Sequence, residues 1–157
     1  MNIFEEIVTN RVLMSGIIAW MTAQVVKFLI HGAIDKAFRL ERLFGDGGMP
    51  SAHSATVTSM ATMAAITYTL NSFEFAISAM LAIIVMHDAH GVRRETGKQS
   101  VVLNNIMETF AAMQVDGKWS EEKLKEFIGH TPLQVAAGFI VGLVVGLILG
   151  YGVFGVI

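Results

Sequence analysis

The chain has 157 residues, of which 54% are hydrophobic and only 15% are charged. Soluble domains are about one quarter charged, and the apolar residues here form long blocks, so the composition excludes an ordinary soluble domain and predicts an integral membrane protein. The formal net charge is −2 and the chain lacks cysteine. We therefore expect no nucleic-acid partner, disulfide, zinc-thiolate site or cysteine nucleophile.

Residues 12–30 form the first apolar block, which is long enough to cross a bilayer at about 1.5 Å per residue. The residues before it are acidic and no small-residue cleavage site follows it, so we expect no cleaved signal peptide. Gln24 and Lys27 are three residues apart and share one helix face. An ionisable residue within a membrane segment is a functional candidate, although Lys27 is close enough to the helix end to reach the interface instead.

The next notable stretch is Gly47-Gly48-Met49-Pro50-Ser51-Ala52-His53-Ser54-Ala55. Glycines permit unusual backbone angles, and proline favours the first turn of a helix. The unpaired N–H groups of that turn, with Ser51, His53 and Ser54 beside them, form a potential anion site. The alternative is an ordinary helix start that happens to contain a histidine.

The middle of the chain alternates between apolar and polar segments. Residues 52–70 are rich in small side chains, which predicts a helix packed closely against other helices. Residues 73–87 form a shorter apolar helix, followed by a polar segment that contains Asp88, Arg93 and Arg94. Residues 99–114 carry apolar positions at helical spacing, and a further short helix is predicted from Ser120 to about Gly129.

The last apolar block, residues 135–157, contains glycines at every fourth position: Gly138, Gly142, Gly146 and Gly150. Such a ridge lets a second helix approach backbone to backbone. The small-residue block at 52–70 is the natural partner within the chain, and a homodimer through the same four glycines is the alternative. Glycine is also frequent in membrane helices in general, but four glycines in register favour a packing role.

The distribution of Lys and Arg predicts the topology. With four spans, the loops after the first and third helices lie on one side and hold nine of these residues, whereas the other side has only Arg11. The positive-inside rule places both loops in the cytoplasm. Lys27, His53, Asp88, Arg93, Arg94 and His130 then all lie at the cytoplasmic face.

Two histidines, a lysine, two adjacent arginines and a helix N-terminus at one face indicate an anion site, most simply for phosphate. One histidine could attack phosphorus while the other protonates the leaving oxygen, and the arginines would neutralise the equatorial oxygens. The alternative is a set of unrelated interfacial residues.

These motifs resemble those of a known superfamily. Pro50-Ser51-Ala52-His53 is similar to the Pro-Ser-Gly-His motif of the type 2 phosphatidic acid phosphatase and haloperoxidase superfamily, and Gly129–Gly138 is similar to its last motif. Across most of its length the chain resembles a divergent bacterial branch. The marks of that branch are the segments 47–55, 88–94, 97–99 and 129–132, together with the Gln24–Lys27 pair.

The resemblance implies a metal-independent lipid-phosphate phosphatase that acts through a phosphohistidine and needs no cofactor. It implies that His130 is the nucleophile and His53 the general acid, and that Ser51 and Lys27 hold phosphate oxygens. The usual Arg-Pro after the lysine is absent, and Leu124 stands where an arginine is usual. Arg93 and Arg94 could replace that arginine by charge.

Gln134 is a further departure, because the superfamily has Asp at this position and the divergent branch usually has Glu. A carboxylate orients the nucleophilic imidazole and stabilises its positive charge. Gln134 can accept the hydrogen bond but brings no charge, so Asp88 could supply the anion from another segment. Otherwise the enzyme is slow, or the chain has lost catalysis and kept binding.

We therefore predict an all-α integral membrane bundle of about four transmembrane helices, with a cytoplasmic helical loop at about 88–133, as one domain over residues 1–157. The expected location is the bacterial inner membrane, and the expected substrate is a phosphomonoester lipid such as phosphatidylglycerophosphate or phosphatidic acid. One alternative is a non-catalytic protein that binds anionic lipid headgroups or a partner. Another takes His87, Asp88 and His90 as metal ligands, since His87 and His90 could share a helix face. A serine hydrolase built on His53 and Ser54 is disfavoured, because adjacent helical residues do not face each other.

Overall fold

The computed structural model describes residues 2–36, 48–113, 124 and 130–155, apart from the side chains of residues 35, 92–94 and 111. These residues form six α-helices and a closing π-helical segment, and within them there is no strand. The helices are α1 (Ile3–Thr9), α2 (Arg11–Asp35), α3 (Ala52–Tyr68), α4 (Phe73–His90), α5 (Val92–Ala112) and α6 (Pro132–Leu147), with the π-helical segment at Ile148–Val153. The all-α prediction is confirmed.

Side-chain caps explain where the membrane helices begin. The side-chain oxygen of the residue before each helix accepts a hydrogen bond from a backbone N–H in the first turn. The capping residues are Asn10 for α2, Ser51 for α3, Ser72 for α4 and Thr131 for α6. The sequence had suggested that Pro50 lies in the first turn of α3, but Pro50 precedes the cap Ser51 and lies outside the helix. The Met49–Pro50 peptide bond is cis.

Helix α3 is the centre of the bundle, since α2, α4 and α6 all pack against it. Its contact with α2 includes two reciprocal hydrogen bonds: the Ser15 hydroxyl donates to the Ser59 carbonyl at 3.3 Å, and the Ser59 hydroxyl donates to the Ser15 carbonyl at 3.1 Å. Small and hydroxyl side chains suit a helix surrounded by other helices, because they allow close approach and bond across the interface. The predicted packing role of this segment is confirmed.

The glycine ridge of α6 packs against α3, in parallel orientation. From the start of α6 to the π-helical segment, Gly138 lies against Ser51, Gly142 against Ala55, Gly146 against Thr62 and Gly150 against Ile66. A Cβ atom on Gly142 would overlap the carbonyl oxygen of Ala55, so this approach requires glycine. The ridge is filled within the chain, and a homodimer through the same glycines would require α6 to leave α3.

Three helical segments are long and apolar enough to cross a membrane: Arg11–Ile34, Phe73–Phe110 and Pro132–Val153. Helix α3 has 17 residues, which is about 25 Å at the usual rise, and eight of them are buried. Many large apolar side chains of α2, α4 and α6 are exposed, as expected for surfaces that face lipid. The chain is therefore an integral membrane protein.

The polar segment after the third apolar block is helical. Helix α4 continues to His90, three residues beyond the predicted end, and α5 follows after Gly91. The predicted helix near 99–114 is present within α5, and its apolar positions Val102, Ile106 and Phe110 are exposed. The predicted helix at 120–129 lies outside the described residues.

Candidate functional site

Four helix ends meet at one end of the bundle. The backbone N–H of Ser51, before α3, donates to the carbonyl of Gln134 in the first turn of α6 at 3.0 Å. The N–H of His130 donates to the carbonyl of Ala89, near the end of α4, at 2.9 Å. Gly48 lies against the last part of α2. The starts of α3 and α6 and the ends of α2 and α4 therefore surround one region.

Two histidines face each other in this region. The rings of His53 and His130 have centroids 6.1 Å apart and are tilted by 58°. His53 lies in the first turn of α3 and is exposed, whereas His130 precedes α6 and is only 6% exposed. One ring is therefore held within the protein while the other can be reached from outside the bundle.

Gln134 orients the buried ring. Its side-chain oxygen Oε1 accepts the backbone N–H of Thr131 at 3.0 Å and lies 3.2 Å from Nδ1 of His130. Because an atom that accepts a backbone N–H must be the amide oxygen, the His130 nitrogen facing it must be the donor. Nδ1 then carries a proton, so in the neutral ring Nε2 is the nitrogen with the lone pair.

Lys27 and His31 line the same region from α2. Lys27 is 4% exposed, so its side chain lies inside the bundle and does not reach out to the interface. Gly48 has a φ of +84°, and a Cβ atom there would lie 2.5 Å from Nε2 of His31 and 3.5 Å from Cδ of Lys27. His31 was not predicted from the sequence, although it follows Lys27 by four residues and therefore shares its helix face.

Several buried polar atoms at this end have no hydrogen-bond partner among the described residues. They include Oγ of Ser54, in the first turn of α3, and Oε1 of Gln24, one turn before Lys27. Ser51 is also fully buried, and its hydroxyl accepts the N–H of Ser54 at 3.3 Å. Buried polar atoms without partners are uncommon and are typical of sites that hold water or a ligand.

The remaining predicted site residues lie near this region with less defined roles. Asp88 is partly buried in the last turn of α4, next to Ala89. Arg93 and Arg94 belong to the first turn of α5, and their side chains are outside the described part of the structure. The described residues contain no group of three or more His, Cys, Asp or Glu side chains placed to hold a metal ion, which gives the metal alternative no support.

The apolar helices define an integral membrane protein, and comparison with known sequences defines its class. Residues 8–145 match the model of the divergent PAP2 family, so the chain belongs to this phosphatase-related family. It is 37% identical to the "Uncharacterized membrane protein YuiD" of Bacillus subtilis (strain 168) over 154 residues, which cover 93% of this chain and 98% of that relative. No solved structure matches the chain.

Proposed function

We propose that this protein is a lipid-phosphate phosphatase that forms a phosphohistidine on His130. The observation that carries the proposal is the pair of histidines: Gln134 Oε1 lies at Nδ1 of His130, which leaves Nε2 as the nucleophilic nitrogen of the neutral ring, and the centroid of the His53 ring on α3 lies 6.1 Å from that of His130. A nucleophile and a proton donor on opposite sides of a small gap are what displacement at phosphorus requires.

In the first step, the Nε2 lone pair of His130 forms a bond to phosphorus as the bond from phosphorus to the lipid oxygen breaks. Protonated His53 gives its proton to that oxygen, so the lipid leaves as an alcohol. In the second step, water attacks phosphorus, neutral His53 takes a proton from it, and the bond to His130 breaks. The products are inorganic phosphate and the starting enzyme.

The phosphate oxygens would be held by positive charge and N–H groups. Buried Lys27 lies next to Gly48 and would supply the positive charge when it is protonated. The N-terminus of α3, where Ser51 is the cap, adds backbone N–H groups that favour an anion. Arg93 and Arg94 are candidates to neutralise the equatorial oxygens by charge. These groups stabilise the charge that develops during transfer.

The substrate we propose is a phosphomonoester lipid of the phosphatidylglycerophosphate or phosphatidic acid type, reached from the cytoplasmic face of the bacterial inner membrane. The positive-inside rule supports this orientation, because all the loop Lys and Arg residues except Arg11 follow the first or third span. A cytoplasmic site disfavours undecaprenyl diphosphate, which is recycled from the outer face.

The test is phosphate release by the purified protein in detergent, with phosphatidic acid or phosphatidylglycerophosphate as substrate. Wild type should release phosphate equally with and without EDTA, and His130→Ala should abolish release. His53→Ala should reduce release more from these lipids than from p-nitrophenyl phosphate, whose leaving group needs no proton. His87→Ala, an exposed histidine at the same end, is the matched control and should keep full activity. Equal release by His130→Ala and wild type would contradict the mechanism.

A second candidate function rests on Gln134, which supplies no negative charge to His130. A chain that has lost catalysis could still bind anionic lipid headgroups, or a partner, through the same positive region. This candidate predicts binding of phosphatidic acid without turnover. The Gln134→Glu variant described below separates the two.

A further inference from the structure

A groove runs along the outside of the bundle between α4 and α6, with α3 as its floor. Both outer helices pack against α3 but hardly touch each other, and the space between them has a volume of about 330 Å³. Its lining is mainly apolar and includes small residues from the floor and one wall. The lining includes Thr58, Thr62 and Ala65 from α3, Ala79, Ile83 and Met86 from α4, and Phe139 from α6.

The groove opens toward lipid. Ile83 on one wall and Phe139 on the other are 57% and 43% exposed, and both belong to segments apolar enough to span a membrane. Surfaces of this kind face hydrocarbon chains in a bilayer. A groove in such a surface therefore takes up hydrocarbon and excludes water.

One polar atom distinguishes this groove from ordinary lipid-facing surface. Thr58 is 4% exposed, and within the part of the chain that the structure describes its hydroxyl Oγ1 has no hydrogen-bond partner. A helical threonine usually bonds the carbonyl one turn earlier, as Thr62 does in the same groove by donating to the Thr58 carbonyl at 2.8 Å. A buried hydroxyl without a partner favours a ligand that brings its own polar atom.

On the α4 side, one end of the groove lies near the histidine pair. Thr58 is five residues after His53 on α3, about 7 Å along the helix axis. Met86 lies one turn before Ala89 on α4, and the Ala89 carbonyl accepts the N–H of His130. From Thr58 to Ala65 the groove follows about 10 Å of α3. A lipid with its phosphate between the histidines would therefore pass Thr58 with the start of its chain.

A second groove, between α2 and α3, provides a comparison. It is smaller, about 190 Å³, and is lined by Leu13, Gly16, Ile17, Trp20, Thr56 and Met60. Its threonine is satisfied, because the Thr56 hydroxyl donates to the Ala52 carbonyl at 2.8 Å. This groove has the character of a surface that contacts bulk lipid without selecting it.

We infer that the groove between α4 and α6 holds one hydrocarbon chain of the lipid whose phosphate is processed between His53 and His130. The ester or hydroxyl oxygen at the start of that chain bonds the Thr58 hydroxyl. The substrate then enters sideways from the bilayer, and the groove selects lipids over short water-soluble phosphates. This inference rests on the proposed function for the position of the phosphate.

The first test fills the groove. Ala79→Leu adds a side chain on its wall, and Ala76→Leu, an exposed position on the same helix outside the groove, is the matched control. Ala79→Leu should lower kcat/KM for dioleoyl phosphatidic acid about tenfold, the effect expected of a blocked hydrophobic pocket. It should leave kcat/KM for dihexanoyl phosphatidic acid unchanged, and the control should change neither. Equal losses on both substrates would overturn the inference.

The second test requires neither catalytic activity nor a substituted protein. Wild-type protein in lipid nanodiscs is photolysed with phosphatidic acid that carries a diazirine in one acyl chain, and the labelled peptides are identified. Labelling should concentrate at Ile83, Met86 and Phe139 over Trp20 and Met60 of the other groove. Equal labelling of both grooves would mean that both contact only bulk lipid, and would overturn the inference. Concentrated labelling without phosphate release would support the groove as a lipid-binding site and contradict the proposed phosphatase activity.

Discussion

Gln134 accepts two hydrogen bonds through one amide oxygen, from the Thr131 N–H and from the ring of His130. The first bond belongs to the capping box that starts α6, so the residue that fixes the helix start also orients the proposed nucleophile. An amide is sufficient to hold the Nδ1 proton in place. In the proposed mechanism His130 would acquire positive charge as the phosphohistidine forms, and a neutral amide stabilises that charge less than a carboxylate would.

Replacing Gln134 with Glu should therefore raise turnover. Glu keeps the same acceptor geometry toward Thr131 and His130 and adds a negative charge, and a hydrogen bond to a charged group exceeds a neutral one by about 1.5 kcal/mol. We expect kcat for phosphatidic acid to increase about tenfold. Gln134→Leu is the matched control and should lower kcat below wild type. If wild type and Gln134→Glu both release no phosphate, the binding function is favoured.

Single residues also show how far the sequence predicts the site. His53, His130, Ser51 and Lys27 were identified because motifs mark them, and the structure brings all of them to one end of the bundle. The motifs contain no information on His31, which reaches the site only because the loop at Gly48 folds back onto α2. Its spacing from Lys27 places His31 on the same helix face, whereas its contact with Gly48 depends on tertiary packing and could not be predicted from local spacing.

Among the helices, α3 is the one against which α2, α4 and α6 all pack. Its contact with α6 was predictable because the small residues of α3 and the regularly spaced glycines of α6 are complementary surfaces. The ends of α4 and α5 were less predictable. The length of an apolar run indicates where a segment leaves the membrane, but it does not indicate where the helix ends. Helix α4 continues beyond its apolar run to His90. The short helix α1 was missed, because it has no apolar block.

The contact between α3 and α6 gives a prediction for stability. Gly142→Ala places a methyl group against the Ala55 carbonyl and the Thr58 side chain, and overpacking of this kind costs about 1–3 kcal/mol. Gly152→Ala is the matched control, because a Cβ there meets nothing within 4 Å. Gly142→Ala should lower the apparent melting temperature of the detergent-solubilised protein, and Gly152→Ala should leave it unchanged or raise it. Equal effects would mean that α6 does not pack here as described.

For the molecule as a whole, the directions of the helices place the chemistry at one end. Helices α3 and α6 start at the end where α2 and α4 finish, so His53, His130, Lys27 and Asp88 share it. Arg11 lies at the opposite end, where its guanidinium stacks over the Phe154 ring at 5.8 Å. The structure thus groups the predicted site residues, and the distribution of Lys and Arg predicts which side of the membrane they face.

This orientation can be tested cleanly, because the natural chain has no cysteine. Lys98→Cys marks α5 at the end with the histidines, and Asn71→Cys marks the turn between α3 and α4 at the other end; both positions are exposed. In intact bacterial cells, a membrane-impermeant maleimide should label Asn71→Cys and should label Lys98→Cys only after permeabilisation. The cysteine-free parent is the control for background labelling. The reverse pattern would place the histidine pair outside the cytoplasm, and the proposed substrate would then change to a phosphorylated lipid exposed on the outer face.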